Sequence, residues 1–431
     1  MNSYPPLIQQ FIEDFQQKKW AAQPYERAMN LLESHPEMLV SFINAVVTEL
    51  PQGGTYHDAV FSFLPLEDFP QIVDHALSEF ARNNQNEAAE AVISYCSLQC
   101  LSALHPHLAA IFILGINEKS YYAEWPWREA GKDTLDFLRP IIEDMEQSEA
   151  TRIRAWEAVL ETRAPILLEY AYGVSRTLPL PSDPALYFRE VGYELILGQP
   201  QALYPDATYH LQFPARYIDD SSRTAWLRVT SHPTWNLAGP TFGPFPFGGE
   251  VAETDSTDTA CPFCGGILHH LITLETIPNG LGVKGLSVLT LAVCLSCLGW
   301  EQESLFYHHD VDGHFQAIGN APVRVTPQFP AAAFVPTMVR LVETPARWRW
   351  QSCGSSNGRE NLHRVGGFPC WIQSAEHPTC PKCSTTMHFL MQLDSELPTA
   401  DGNGWLWGSG GIGYVFWCDG CKISGMLWQC T

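Results

Sequence analysis

Four C-x-x-C pairs, Cys261/Cys264, Cys294/Cys297, Cys380/Cys383 and Cys418/Cys421, hold eight of the chain's 13 cysteines. The first two pairs are 29 residues apart and the last two 34. A tight turn aims two thiolates at one ion, and two such turns complete a tetrahedron, so the spacing predicts two four-cysteine sites, each holding a structural Zn2+. With all four positions taken by sulfur, neither ion keeps a place for reactive water. Pro262 and Pro381 follow the first cysteine of their pairs, and Gly265, Gly299 and Gly420 supply turn residues beside the crowded metal. The alternative is redox dithiols, which would call for a C-x-x-C in a βαβ setting, and no such setting is evident. Cys96 and Cys100, spaced i, i+4, read as small core residues, and Cys353, Cys370 and Cys430 fall in no pattern.

Other chemistry fares less well. Gly408–Gly413 fits G-x-G-x-x-G, but a strand is expected after it where a dinucleotide site needs a helix. Gly354–Gly358 fits G-x-S-x-G without the following helix of a nucleophile elbow. Tyr307–His314 gathers three histidines and two aspartates, a conceivable metal site, yet its Asp312-Gly313 step marks a hairpin turn. No catalytic residue is expected, and the chain reads as a non-enzyme.

The cysteine pairs sit inside a duplication. Cys261–Glu275 matches Cys380–Asp394 at an unbroken offset of 119, and Leu291–Cys294 matches Val415–Cys418 at 124. Gly243–Pro246 is set against Gly366–Pro369 in the same alignment. Alternating or β-rich stretches flank each pair, so two related β-rich modules containing zinc ribbons are expected, over 186–320 and 336–431, with proline-rich connectors at Leu178–Pro184 and Pro322–Pro336.

Ahead of them, residues 1–175 carry helical periodicity, as at Leu39, Phe42, Ile43 and Val46. Pro36, Pro70, Pro106 and Pro140 recur at intervals of 34, 36 and 34, each expected to open a helix. A period near 35 suggests an α-solenoid of HEAT-like helical hairpins; a non-repetitive bundle is the alternative. The fold class is thus α+β and multidomain. One insertion, Lys119–Asp133, places Tyr121, Tyr122, Trp125 and Trp127 among charged residues, which reads either as a partner contact alongside the acidic group Glu143, Asp144, Glu146 and Glu149 or as a cap on the local core.

The 431 residues are 45% hydrophobic and 17% charged, enough apolar material for two or three domains. Acidic residues outnumber basic ones 47 to 25, a formal charge of −22, which argues against sequence-independent binding to nucleic acid through phosphate contacts and disfavours anionic membranes. Both parts share the acidity, −13 in residues 1–180 (12 basic, 25 acidic) and −9 in 181–431 (13 basic, 22 acidic). The opening Met1–Phe15 carries Glu13 and Asp14 and no basic residue, unlike a secretory leader, and no stretch reaches the ~20 apolar residues of a membrane span, so a cytoplasmic location is expected.

At the carboxyl end, His363–Gln373, Met387–Glu396, Trp405–Phe416 and Leu427–Cys430 run in order through G-G-x-P, F-L-x-Q-x-D-S and W-G-x-x-G-x-G-x-x-F. These roughly 70 residues resemble the YwqG-like bacterial family, which brings no catalytic residues to carry over. The cysteine pairs and the helical front depart from its simplest members. Relatives of this type resemble proteins encoded beside polymorphic toxins, which implies an immunity role. With the acidity, the expectation is a cytoplasmic immunity protein that neutralises a basic toxin by direct binding. The alternatives are a chaperone or adaptor for a basic cellular client and, further off, a metal-dependent enzyme using His308–His314.

Overall fold

The computed structural model describes residues 4–17, 24–52, 58–115, 125–178, 180, 183–218, 232–251, 260–319 and 325–430. They divide into two compact units: Met1–Val191 with Leu195–Pro200 and Trp350–Ser352, and Gly192–Glu194 with Gln201–Arg349 and Cys353–Thr431.

The first unit is helical: α1 (Pro6–Gln16), α2 (Pro24–Ser34), α3 (Leu39–Glu49), α4 (Asp58–Phe61), α5 (Phe69–Arg82), α6 (Glu87–Gln99), α7 (Leu101–Leu104), α8 (Leu108–Leu114), α9 (Thr134–Glu143), α10 (Glu149–Glu161), α11 (Pro165–Ser175) and α12 (Pro184–Glu190). Burial follows helical period, as in α5, where Phe69, Ile72, Val73, Ala76, Leu77 and Phe80 face inward. Asn86 and Ser148 cap α6 and α10 by accepting the N–H of Ala89 and Thr151. Pro36 and Pro106 lie in 3-10 turns leading into α3 and α8, and Pro70 lies in the first turn of α5. Pro140 breaks the expected pattern, sitting inside α9 instead of opening a helix. Cys96 is fully buried on α6, while Cys100 follows the helix end and is partly exposed.

In the second unit, α13 (Ala215–Ile218) accompanies strands β3 (Thr208–Gln212), β4 (Thr241–Phe247), β5 (His269–Leu274), β6 (Leu289–Val293), β7 (Leu305–His309), β8 (Phe315–Ile318), β9 (Thr337–Glu343), β10 (Arg364–Gly366), β11 (His388–Asp394), β14 (Gly411–Cys418) and β15 (Ile423–Cys430). Short β1 (Tyr193–Ile196) pairs with β2 (Gln199–Ala202), and β12 (Leu397–Pro398) with β13 (Gly404–Trp405). The large sheet has the order β6-β5-β4-β9-β3-β10-β11-β14-β15-β7-β8, antiparallel throughout. It curls toward closure, with Ser287 N–H donating to Val311 O at 3.2 Å to tie the start of β6 to the β7–β8 turn. Its core is aromatic and aliphatic; Phe213, for example, stacks on Tyr217 at 5.2 Å and meets Phe247 edge-on at 5.1 Å.

The duplication is visible in register. His269 pairs with Val293 and His388 with Trp417, matching offsets of 119 and 124, and both hairpins carry an irregularity at equivalent places, between His270 and Ile272 and between Phe389 and Met391. Strands β6-β5-β4-β9 and β14-β11-β10-β3 are thus two copies meeting back to back at β9 and β3. The register moves one expected match: Phe247 opposite Ile272 corresponds to Val365 opposite Met391, so the equivalent glycines are Gly248-Gly249 and Gly366-Gly367, not Gly243 and Gly366. All four have φ between +74° and +90°. Here a side chain is excluded, because a Cβ on Gly366 would lie 2.0 Å from Ala207 O and one on Gly248 2.7 Å from Val335 O.

The expected boundaries at 186–320 and 336–431 are crossed by the strands. β3, early in the chain, completes the second copy, whereas β9, after the connector, completes the first, and β7 pairs with β15. Residues of both segments therefore fall in one compact unit and share its large sheet.

Candidate metal centres

Each C-x-x-C turn lies beside a strand that fixes it. In the first cluster Cys261 N–H donates to Gly266 O and Gly265 N–H to Cys261 O; in the second Cys380 N–H donates to Thr385 O and Ser384 N–H to Cys380 O, the same turn 119 residues on. The second pair of each cluster follows the paired strand, β6 or β14. The four sulfurs of Cys261, Cys264, Cys294 and Cys297 lie within 4.8 Å of one another, as do those of Cys380, Cys383, Cys418 and Cys421. Sulfur pairs lie 3.8 Å (Cys261–Cys297), 3.7 Å (Cys264–Cys294) and 3.6 Å (Cys383–Cys418) apart. Metal–sulfur bonds of about 2.3 Å place tetrahedral sulfurs about 3.8 Å apart, whereas a disulfide needs about 2.05 Å, so the spacing suits four thiolates around one ion and no disulfide.

Electrostatics agrees. Contact with Cys294 sulfur holds the Cys261 thiol down to about 5, while Cys294 is pushed up by that same contact and Cys297 by burial and neighbouring thiols. In the second cluster the Thr385 hydroxyl holds Cys383 down to about 6, and burial with adjacent thiols raises Cys418 and Cys421. One thiolate forms readily and opposes the rest, a repulsion that a bound dication relieves.

The clusters differ in support. The first is buried except for a partly exposed Cys264, with His269 Nδ1 accepting from Leu295 N–H at 3.1 Å, His269 Nε2 facing Ala331 O at 3.1 Å, and Tyr307 Oη accepting from Cys294 N–H at 3.1 Å. In the second, Cys383 is exposed and Cys421 partly so, and His388, the counterpart of His269, is exposed. Ser384 stands at φ +58° where the first copy has Gly265 at +72°. A left-handed conformation costs an L-residue roughly 1–2 kcal/mol, so Ser384→Gly is expected to raise stability by about 1 kcal/mol in denaturant unfolding, with metal content unchanged.

The other motifs make bracing contacts as well. Tyr307–His314 is the β7–β8 hairpin, with Asp310 accepting N–H bonds from Asp312 and His314. Asp310, Asp312 and His314 cluster in its turn, all exposed. Gly408–Gly413 leads into β14, and Gly354–Gly358 is a loop held by Asp394, which accepts from Asn357, Gly358 and Ser395 N–H groups. Gln392 joins Cys370 N–H to Leu362 O, and Ser395 Oγ accepts from Trp407 and Gly411 N–H. These roles of F-L-x-Q-x-D-S were not read from the sequence; the signal was polar residues at inward positions of a strand. Cys370 is buried, and burial pushes its thiol up.

Burial also raises Asp394 to about 7 against its three N–H donors. Its folded value exceeds an unfolded one of about 3.9, so its contribution is full below pH ~4 and is lost as pH rises through ~7. Wild type is expected to lose up to about 4 kcal/mol relative to Asp394→Asn between those limits, read from urea unfolding of both proteins across pH.

Of the two readings of the insertion's aromatics, the partner contact is corrected for Trp125 and Trp127, which cap the core. Trp125 and Trp127 are each only 4% exposed. Trp127 stacks with Phe137 at 6.2 Å, Trp125 lies 6.2 Å from Trp350, and the guanidiniums of Arg128 and Arg163 sit 4.2 and 4.6 Å from the Trp350 ring. These rings are spent on the core, as large apolar area favours. Tyr121 and Tyr122 lie outside the described residues. Glu143, Glu146 and Glu149 are exposed around the end of α9, with Asp144 partly so. Among the described residues, exposed aromatics are elsewhere: Trp300, three residues past Cys297, and Phe329, 43% and 46% exposed.

A 68-residue stretch is 36% identical to the uncharacterized protein YpfL of Salmonella typhimurium, covering 16% of this chain and 15% of that one. The chain therefore spans well under two thirds of that relative's length. No family model matches the chain, and no solved structure matches it.

Proposed function

We propose that the chain is a non-enzymatic protein-binding protein that captures a basic polypeptide, and specifically a cytoplasmic immunity protein that neutralises a toxin by direct binding. The observation that carries this reading is charge: 47 acidic residues against 25 basic ones favour rapid capture of a cationic partner. The ions are zinc in this reading, since all-thiolate sets select soft metals, and they staple zinc-ribbon turns onto the sheet. The helical unit acts as a HEAT-like solenoid offering a long surface. The YwqG-like resemblance supports the immunity role.

Co-expression with a basic toxin encoded beside the gene tests it. Survival of the cells and a co-purifying complex are expected; continued killing with no complex overturns it. A basic client recovered from cells lacking any toxin would favour a chaperone instead. A third metal ion per chain, bound at His308–His314, would favour an enzyme. No helix among the described residues is long and apolar enough to cross a membrane.

A further inference from the structure

We propose that Trp300, Phe329 and Trp428 form a preorganised platform on which an arginine or lysine side chain of a basic polypeptide stacks, an inference that rests on the basic-partner reading and locates its contact. Trp300 and Phe329 have centroids 4.4 Å apart and Trp300 and Trp428 5.4 Å, with interplanar angles of 47° and 56°. Such spacing leaves no room for a cation between the rings, so the cation lies on their outer faces, where ring quadrupoles attract it.

The platform is fixed from below. Cys297 O accepts N–H bonds from Trp300, Glu301 and Gln302, so the loop carrying Trp300 grows directly out of the first metal turn. Trp428 Nε1 donates to Leu298 O at 2.9 Å, and a Cβ on Gly299 would fall 2.0 Å from that nitrogen, so only glycine lets the Trp428 ring seat there. Gln328 N–H donates to Glu301 Oε1 at 3.0 Å and Ala331 N–H to Ser296 Oγ at 2.9 Å, which pins both sides of Phe329. Rigid aromatic area costs little entropy on binding.

The internal copy provides a comparison. After Cys421 the second copy enters β15 at once, whereas after Cys297 the first inserts the loop 298–304 before β7. A four-thiol cluster with its following strand is thus assembled without this loop, and the loop puts a tryptophan into solvent. Charge selects the occupant. The loops that carry Trp300 and Phe329, 298–304 and 325–331, contain no lysine or arginine, while Glu301 and Glu303 lie in the loop of Trp300. Glu303 is exposed. An aromatic surface rimmed by carboxylates favours a guanidinium or ammonium over an apolar or acidic segment.

The test uses full-length metal-loaded protein and a fluorescein-labelled dodecapeptide of arginine and leucine, with the same peptide carrying citrulline for arginine as the uncharged control, followed by anisotropy. Wild type is expected to prefer the arginine peptide at least tenfold. Trp300→Ala with Phe329→Ala should weaken it at least tenfold, Trp300→Phe should stay within about threefold of wild type, and Glu143→Gln with Glu149→Gln should leave it within twofold. Metal content and melting temperature of the double alanine variant, whose replaced rings are half in solvent, confirm that it is folded. Unchanged affinity in that folded variant overturns the platform and leaves the basic-partner reading standing. Failure of the arginine peptide to bind wild type, together with no complex in the co-expression experiment, overturns both.

Discussion

Cys261→Ser and Cys380→Ser are each expected to lower the bound metal from two ions per chain to one, measured by elemental analysis, and to destabilise the sheet unit more than any other single change considered for this chain. Once the first thiolate raises its neighbours, holding all four sulfurs as thiolates calls for a bound dication, and the serine variants take one of those ligands away. Metal binding to such sites supplies on the order of 10 kcal/mol or more of folding free energy. The two losses should differ. Cys261 lies in the buried cluster braced by His269 and Tyr307, so its replacement should abolish the cooperative unfolding transition at 25 °C. Chelator is expected to remove the ion at Cys380–Cys421 first, at least tenfold faster, because Cys383 is exposed to it. Equal release rates, or two ions retained in either serine variant, would refute this account.

Gly366→Ala is the second large effect. At φ +74° with Ala207 O only 2.0 Å from the new methyl carbon, either β10 or β3 must move, and both lie at the centre of the sheet. Combining left-handed strain with a backbone clash, a loss of about 3 kcal/mol or more is expected in urea unfolding. Gly248→Ala, its counterpart, meets Val335 O at 2.7 Å and should cost less. A loss below about 1 kcal/mol for Gly366→Ala would contradict the clash and strain assigned to this position.

The cysteine clusters were legible in the sequence because thiol chemistry demands short, repeated spacing, and four C-x-x-C pairs state it directly. The 119 offset was legible for the same reason: Cys261–Glu275 and Cys380–Asp394 must build one turn and one strand each. Strand exchange was not legible, since pairing of β3 with β10 and of β9 with β4 depends on contacts more than a hundred and about ninety residues apart in the chain, and Tyr209 or Val339 alternates alike beside any partner. Trp125 and Trp127 stayed ambiguous in the sequence because charged neighbours such as Glu129 and Lys132 imitate a surface loop, while the large apolar area of the rings favours the interior. Pro140 misled because position in the period was read without the helix boundaries that tertiary packing sets.

The exchange of β3 and β9 between copies has a consequence for any cut in the chain. A fragment ending near 320 would keep β4, β5 and β6 with their four thiols yet lack β9, the neighbour of β4, while its own β3 would be stranded without β10. Each half therefore withholds what the other needs. With β3 and β9 exchanged, neither half can be swapped for a homologue without rebuilding the seam between them.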